Sequence, residues 1–346
     1  MKRCIDLAKN GFGQTYPNPM VGCVIVHGDK IIGEGWHRKA GEAHAEVNAI
    51  NNLKDENLIK SSTIYVSLEP CSHYGKTPPC ADLIVDKGFQ KVVIGMTDPF
   101  AKVKGRGIKK LLDNGCQVIV GVCEKECYEL NKRFITFHEK KRPYIILKWA
   151  ESQDGFLSPY KFGAFEHKEP VWLTNSYSKQ LVHQWRTEEQ AILVGTHTAL
   201  MDDPALTARL FKGSNPLRVL IDKDLVVLET ANIFSKGAKT LVFTAKTVEK
   251  KSDHLEYIRI DFSQGIIAQI LNVLHQKDIQ SLIVEGGRHT LQGFIDHNLW
   301  DEARVFKTKI IFQDGTKAPD FLSKHCQSEM IMEDELKIFK NQKHLH

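Results

Sequence analysis

The first part of the chain alternates short apolar runs with segments of helical periodicity. Runs rich in β-branched residues predict strands at 21–26, 31–35, 63–68, 91–96 and 117–120, the first two joined by a tight turn. Apolar residues at helical spacing predict helices at 2–10, shortly after Gly41, at 78–87 and at 108–114. This alternation predicts an α/β domain over residues 1–122, from which a helical connection over 123–142 leads out.

A second series of strands and helices begins at Pro143, directly after a run of charged residues. Apolar runs predict strands at 144–150, 191–195, 217–222, 240–244 and 281–285, and a last strand pair within 305–312. The helices predicted here span 176–186, 265–276 and 289–295, and a polar surface loop is predicted at 158–170. The pattern therefore predicts a second α/β domain over residues 143–346.

The charge balance favours a small anionic substrate over nucleic acid. The 346 residues carry 47 basic and 42 acidic side chains, a formal net charge of +5, and the two signs are mixed along the chain. The eight cysteines are scattered, and a helical pattern starts almost at Met1, where a secretory leader would lie. No apolar run approaches the length of a membrane span. We therefore expect a cytoplasmic protein with reduced thiols and no membrane partner.

The stretch from Gly41 to Cys80 holds the residue types of a zinc deaminase in order. His44, Cys71 and Cys80 supply one imidazole and two thiolates, which leaves the fourth position of a tetrahedral zinc ion free for water. Glu46 would move protons without binding the metal. Residues two apart face different sides of a helix, so His44 and Glu46 reach one site only at a helix start.

A second helix start is predicted around Cys80, where the helix dipole favours a thiolate. Thr77 is expected as the N-cap and Pro78 as the first helical residue, with Gly88 after the last turn. A closed structural zinc site is the alternative, with His73 as its fourth ligand.

The later part of the chain contains a weaker signal for anion binding. Glu285-Gly286-Gly287-Arg288 joins a predicted strand to a helix start, where backbone N–H groups favour a phosphate. It lacks the dinucleotide fingerprint Gly-x-Gly-x-x-Gly, and a glycine pair also serves purely steric needs. Residues 195–209 form a polar loop after a buried strand. Arg186 and Arg209 either clamp a phosphate together or form separate surface ion pairs.

Together these motifs make nearly the whole chain similar to the bifunctional riboflavin-biosynthesis enzymes, a pyrimidine deaminase joined to a 5-amino-6-(5-phosphoribosylamino)uracil reductase. In the deaminase half the resemblance rests on Pro17-Asn18-Pro19 and on the long insert between Cys71 and Cys80, which exceeds the Pro-Cys-x-x-Cys of nucleic-acid deaminases. In the reductase half it rests on Lys148, Asp154-Gly155, Trp172, the stretch 202–207 with Arg209, and Glu285-Gly286-Gly287.

The resemblance implies a cytidine-deaminase-like three-layer α/β domain followed by a dihydrofolate-reductase-like domain. It also implies hydrolytic deamination of a phosphorylated pyrimidine, with one Zn²⁺ per chain and Glu46 as the catalytic proton shuttle, and then NADPH-dependent reduction of the ribosyl side chain. The metal ligands are those named above. The substrate contacts implied in the deaminase half are Asn18, His73, Lys76 and Asp98, and those in the reductase half are Arg186, Leu206, Arg209 and Glu285. The NADPH contacts implied are Ala150, Trp172, Thr198, Asp202, Gly287, Arg288, His289, Thr290, Leu291, Gln292 and Gly293.

Three other interpretations make distinct predictions. A second domain repurposed for binding alone would not bind NADPH. A nucleic-acid deaminase would carry a basic stripe with interleaved aromatic residues, which the mixed charges do not show. A regulatory protein with structural zinc would not need Glu46. The sequence is compatible with a homo-oligomer.

Overall fold

The computed structural model describes residues 1–72, 74, 78–100, 104–160, 171–249, 252–321 and 326–341. The chain divides into two compact units, Met1–Lys141 and Arg142–His346. In the described ranges no helix combines the length and apolar character that crossing a bilayer needs.

The first unit is built around a five-stranded sheet. Its elements are α1 (Lys2–Lys9), β1 (Gly22–His27), β2 (Lys30–Trp36), α2 (Ala45–Asn51), β3 (Thr63–Val66), α3 (Cys80–Asp86), β4 (Lys91–Ile94), α4 (Arg106–Asp113), β5 (Gln117–Val120) and α5 (Glu124–Lys140). The strand order is β2-β1-β3-β4-β5. β1 is antiparallel to both β2 and β3, whereas β3, β4 and β5 are parallel.

Strand alternation places helices on both faces of this sheet. Cys23 and Ile25 of β1 face a core shared with α2, α3 and α4. Val24, between them, points to the other face and packs with Cys4 and Leu7 of α1. The result is the three-layer α/β/α domain that the resemblance implies.

The start of α3 differs from the sequence prediction. Its N-cap is Pro79, and Cys80 is the first helical residue, so the prediction of Thr77 as N-cap and Pro78 inside the helix is wrong. The fixed φ of a proline suits the first turn, but here Pro79 is extended at φ −60° and ψ 142°. The shift moves the Cys80 thiol to the very end of the helix.

The second unit contains a nine-stranded sheet. Its elements are β6 (Tyr144–Glu151), β7 (Phe156–Ser158), α6 (Ser176–Glu188), β8 (Ala191–Gly195), α7 (Thr196–Asp202), β9 (Leu217–Ile221), β10 (Thr240–Thr244), β11 (Leu255–Arg259), α8 (Ile266–Gln276), β12 (Ser281–Gly286), α9 (Arg288–Asp296), β13 (Glu302–Lys307), β14 (Thr316–Lys317), β15 (Cys326–Ile331) and β16 (Asp334–Lys340). The order is β11-β10-β9-β8-β12-β6-β13-β16-β15, while β7 and β14 form a separate pair. The run from β11 to β13 is parallel, and β16 and β15 continue it as an antiparallel hairpin.

Both faces of the large sheet are covered. The apolar cluster on one face joins Ile145 and Leu147 of β6 to Leu271 of α8 and Phe294 of α9. The cluster on the other face contains Trp185 of α6. Parallel strands buried on both sides are near-continuous apolar runs, which is why the sequence revealed β6, β8, β9, β10 and β12, whereas the half-exposed edge strand β11 was missed.

Three features of this unit differ from the sequence predictions. The predicted strand pair within 305–312 is wrong, because β13 ends at Lys307 and its antiparallel partner is β16. The strands β15 and β16 were not predicted, since most of their residues are polar or half-exposed and give no apolar run. The stretch 195–209, predicted as a polar loop, begins with the helix α7.

Candidate active sites

The predicted metal ligands of the first unit come together at one place. Nδ1 of His44 lies 3.6 Å from Sγ of Cys71 and 3.3 Å from Sγ of Cys80. His44 is the N-cap of α2, Cys71 follows β3, and Cys80 opens α3, so three different elements each contribute one ligand. In the described part of the chain this is the one group of His, Cys, Asp or Glu side chains arranged for a metal, and its ligand atoms lie within 4.8 Å of one another.

These distances fit a tetrahedral zinc ion. Zn–S bonds of about 2.3 Å and Zn–N bonds of about 2.0 Å at tetrahedral angles separate nitrogen from sulfur by about 3.5 Å. The Cys71 sulfur is favoured as a thiolate. Hydrogen bonds from the Cys80 thiol and, at 3.2 Å, the Cys80 backbone N–H, together with His44, lower the pKa of Cys71 to about 4 against the cost of burial. The donor set therefore suits zinc.

Glu46 lies in the first turn of α2 and is 3% exposed. Burial, and secondarily the Cys71 thiolate, raise the pKa of Glu46 to about 7, while His44 acts in the opposite direction. Residues two apart face different sides of a helix interior. His44 is the N-cap of α2 and Glu46 lies in its first turn, so the two residues stand at the helix start, as the sequence predicted.

Asn18 is fixed by a histidine that sequence reasoning missed. His37 is 3% exposed, and its ring meets the His44 ring edge-on at 5.4 Å. Nδ1 of His37 donates to the Ala43 carbonyl at 3.2 Å, so in the neutral ring Nε2 accepts from the Asn18 amide at 3.1 Å. This arrangement leaves the Asn18 carbonyl oxygen available to a ligand. His37 belongs to no sequence motif, so only its position in the fold identifies its contact with Asn18.

The other substrate contacts implied in the first unit are only partly described. Asp98 is 7% exposed, and burial raises its pKa to about 6, with smaller contributions from Glu69 and Cys71. His73 and Lys76 lie outside the described residues, and so does Thr77.

The second unit contains a cleft of ≈ 1080 Å³. It is lined by the predicted contacts Ala150, Trp172, Arg186, Thr198, Asp202, Leu206, Arg209, Glu285, Gly287, Arg288, His289, Thr290, Leu291 and Gly293. Gln292 is the exception among the predicted residues: it does not line the cleft, and its amide bonds to Asp296 and Asp320 instead. The cleft opens at the carboxyl ends of parallel strands, where ligands of open α/β sheets bind.

Glycines bring the ends of β8 and β12 close together at the floor of the cleft. A Cβ on Gly195 would lie 2.7 Å from Oγ1 of Thr290, and one on Gly287 would lie 3.1 Å from Oγ1 of Thr198. Gly286 has φ +127°, a backbone conformation that side chains disfavour. The start of α9 lines this cleft, and the first N–H groups of a helix favour an anionic ligand.

That Arg186 and Arg209 clamp a phosphate stays a prediction, and the structure gives Arg186 a buried carboxylate partner instead of the surface ion pair of the alternative. Its Nη2 donates to Glu285 at 2.9 Å, its Nε donates to the other carboxylate oxygen at 3.4 Å, and its Nη1 donates to the Thr207 carbonyl at 3.1 Å. Both side chains of the ion pair are 10% exposed. Burial opposes the charge on Glu285, but Arg186 and Lys148 prevail and lower its pKa to about 2. Arg209, in contrast, is exposed on the cleft wall.

Several cleft residues were not predicted as contacts. His183 lies one helical turn before Arg186, and burial together with Arg186 and Arg209 lowers its pKa to about 4. Lys148, part of the family motif, also lines the cleft, and burial lowers its pKa despite the opposing Glu285 carboxylate. The stretch 262–268 lines the cleft because β11, which the sequence did not reveal, precedes it.

Two family models match the chain. The cytidine and deoxycytidylate deaminase zinc-binding region matches residues 1–96, and the RibD C-terminal domain matches residues 143–317. The first match spans all three clustered ligands, and the second spans the residues that line the cleft.

Curated proteins and solved structures agree with these matches. The chain is 39% identical to a riboflavin biosynthesis protein RibD of Aquifex aeolicus, over 92% of this chain and 89% of that protein. It is 40% identical to the RibD of Bacillus amyloliquefaciens, over 93% and 87%. A Thermotoga maritima structure described as a diaminohydroxyphosphoribosylaminopyrimidine deaminase/5-amino-6-(5-phosphoribosylamino)uracil reductase superposes with a TM-score of 0.87 at 36% identity, covering 98% of this chain and 97% of that one. An Acinetobacter baumannii RibD structure gives 0.83 at 30% identity, covering 99% and 98%.

Proposed function

Since the chain belongs to the RibD family of riboflavin-biosynthesis deaminase/reductases, we propose that it deaminates 2,5-diamino-6-(5-phosphoribosylamino)pyrimidin-4-one and then reduces the ribosyl side chain of the product to the ribityl chain. The observation that carries the proposal is the cluster of His44, Cys71 and Cys80 at zinc-ligand distances beside the buried Glu46.

The first unit performs the deamination. His44, Cys71 and Cys80 would hold the zinc ion, which would supply the Lewis acidity that activates water near neutral pH. Glu46 is not one of the clustered ligands, so its carboxylate is free to accept a proton from the attacking water and to deliver one to the leaving amino nitrogen. Its burial excludes competing solvent from this transfer.

Asn18 and Asp98 bind the pyrimidine in this proposal. The Asn18 carbonyl oxygen, oriented through His37, accepts from an N–H of the ring or its amino groups. His73 and Lys76 are the other proposed substrate contacts, and binding of the ribose phosphate by Lys76 fits its charge.

The second unit performs the reduction. The cleft residues Ala150, Trp172, Thr198 and Asp202 and the start of α9 from Gly287 to Gly293 would hold NADPH, which would supply the hydride. Gln292 stays a predicted contact of this site, although its side-chain amide bonds to Asp296 and Asp320.

The substrate of the reduction contacts the opposite wall of the cleft. Arg209 binds its phosphate, Leu206 packs against it, and Glu285 accepts from a hydroxyl of the sugar. Arg186 is a further proposed contact of this substrate, and it also holds the Glu285 carboxylate in place. We propose a cytoplasmic location and a homo-oligomeric assembly for this enzyme.

A coupled assay on zinc-loaded protein tests the proposal. The diaminopyrimidine substrate is supplied with and without NADPH, while ammonia and the absorbance of NADPH are followed together. We expect ammonia release in both cases and stoichiometric loss of NADPH only after deamination. Ammonia without loss of NADPH would remove the reductase, and neither signal from protein with one zinc per chain would contradict both activities.

A further inference from the structure

Glu69 belongs to the segment that carries Cys71, yet neither zinc binding nor proton transfer uses it. It lies between β3 and Cys71 and is 3% exposed. No Lys, Arg or His side chain in the described ranges forms an ion pair with it. A buried carboxylate without a cation is costly unless hydrogen bonds replace its hydration.

Backbone N–H groups supply those hydrogen bonds. One carboxylate oxygen of Glu69 accepts from Asp98 at 3.2 Å and from Gly105 at 3.0 Å. The other accepts from Gly107 at 2.9 Å and from Ile108 at 3.3 Å. Four charge-assisted bonds therefore satisfy this carboxylate.

One donor is Asp98, and the other three lie between Gly105 and Ile108, at the start of α4. The first N–H groups of a helix have no partner within the helix and lie at the positive end of its dipole, so the carboxylate also caps α4. Gly107 lies so close to Pro70 that a Cβ would collide with the Pro70 carbonyl. The start of α4 is therefore held directly against Glu69 and Pro70, which precede Cys71.

The hydrogen bond from the Asp98 backbone to Glu69 also sets the position of the Asp98 side chain. Its Oδ1 accepts from the Phe100 backbone N–H at 2.8 Å. The Phe100 ring packs on the His138 ring of α5 with centroids 4.8 Å apart. The Glu69 carboxylate therefore holds the backbone at Asp98, and the ring contact holds Phe100.

We propose that Glu69 is a positioning residue of the deaminase site, whose carboxylate holds Asp98 against the pyrimidine by accepting from its backbone N–H and from those at the start of α4. The inference rests on the proposed function of the first unit. It assigns to Glu69 no contact with the substrate or the metal.

The variant Glu69→Gln tests this directly. Glutamine has nearly the same shape, but its NH₂ group faces two backbone N–H donors, which would be left without an acceptor. We expect the backbone amides of 105–108 to exchange with deuterium at least about tenfold faster, because the local opening becomes easier. Zinc content should stay at one per chain, and the reductase activity should be unchanged. The kcat/KM for ammonia release should fall by about tenfold or more.

A control and a double variant separate positioning from general damage. Glu126, exposed on α5 of the same unit, provides the matched variant Glu126→Gln, for which exchange and activity should match the wild type. If Glu69 acts through Asp98, Glu69→Gln should lower activity less than about twofold in an Asp98→Asn background.

Three results would overturn the inference: unchanged exchange of 105–108, zinc lost together with activity, or fully additive effects in the double variant. If wild-type protein releases no ammonia, the proposed function fails, whereas an active wild type with unaffected Glu69→Gln contradicts the positioning role alone.

Discussion

The guanidinium of Arg186 and the carboxylate of Glu285 meet at 2.9 Å, although the residues lie 99 positions apart in the sequence. Arg186 comes from α6 and Glu285 from the end of β12, so the pair ties a helix to the strand end that forms the cleft. The arginine is therefore part of the scaffold of the reductase site.

Glu285→Gln should destabilise the second unit at neutral pH and much less in acid. The pKa of Glu285 is about 2, below its ordinary 4.5, so its carboxylate stabilises the fold fully above pH 4.5 and loses this effect as the pH falls toward 2. We expect a free energy of unfolding lower by about 3 kcal/mol at pH 7. Urea denaturation followed by tryptophan fluorescence measures it, since four of the five tryptophans lie in this unit. An equal deficit at pH 7 and pH 2.5 would exclude the charge as the cause.

His183 should stay neutral well below the pH at which most histidines titrate. Burial and the charges of Arg186 and Arg209 lower its pKa to about 4, and its Nδ1 accepts from the Leu210 backbone at 3.4 Å. Removing one cation with Arg209→Gln should raise this pKa. NMR titration of histidine ring signals, with His183→Asn to assign the resonance, tests both statements. A wild-type midpoint near 6.5 would contradict them.

Cys80→Ser should abolish zinc binding, whereas Cys116→Ser should not. Both sulfurs are buried, but only Cys80 lies at 3.3 Å from the His44 imidazole, while Cys116 donates to the Phe89 carbonyl. The expected loss in zinc affinity exceeds about tenfold. The zinc content per chain of both variants, measured after dialysis against a weak chelator, tests this prediction. Retention of zinc by Cys80→Ser would exclude the three-ligand site.

Glu46→Gln should keep zinc but lose ammonia release by about 100-fold or more, because the neutral amide cannot carry a proton. The reductase activity of the same preparation serves as the internal control. Unchanged ammonia release would exclude Glu46 as the shuttle and favour a structural role for the metal.

Arg209→Gln should weaken binding of the phosphorylated reductase substrate. Arg209 is exposed on the cleft wall, and loss of a charge-assisted bond raises KM by about tenfold or more, while kcat should change little. Lys212, an exposed cation nearby in sequence that does not line the cleft, offers the control Lys212→Gln. Equal effects of both variants would indicate only a change in overall charge.

The sequence predicted the elements that have a clear hydrophobic periodicity and the site residues that belong to a chemically specific motif. The buried parallel strands and the convergence of His44, Cys71 and Cys80 were predicted because apolar runs and soft ligands are visible in the letters. Polar strands such as β15 were missed, since their burial pattern is mostly exposed. The Arg186–Glu285 pair and the His37–Asn18 bond were missed because partners distant in sequence have no local signature.

The three clustered ligands come from segments separated by 27 and 9 residues along the chain. A bound ion thus acts as a cross-link that closes two loops, and its binding energy adds to the stability of the fold that brings the ligands together. No such cross-link is built into the described part of the second unit. Metal shortage should therefore destabilise the first unit of this enzyme and leave the second unchanged. A cell short of zinc would then keep the reductase activity while losing the deaminase activity.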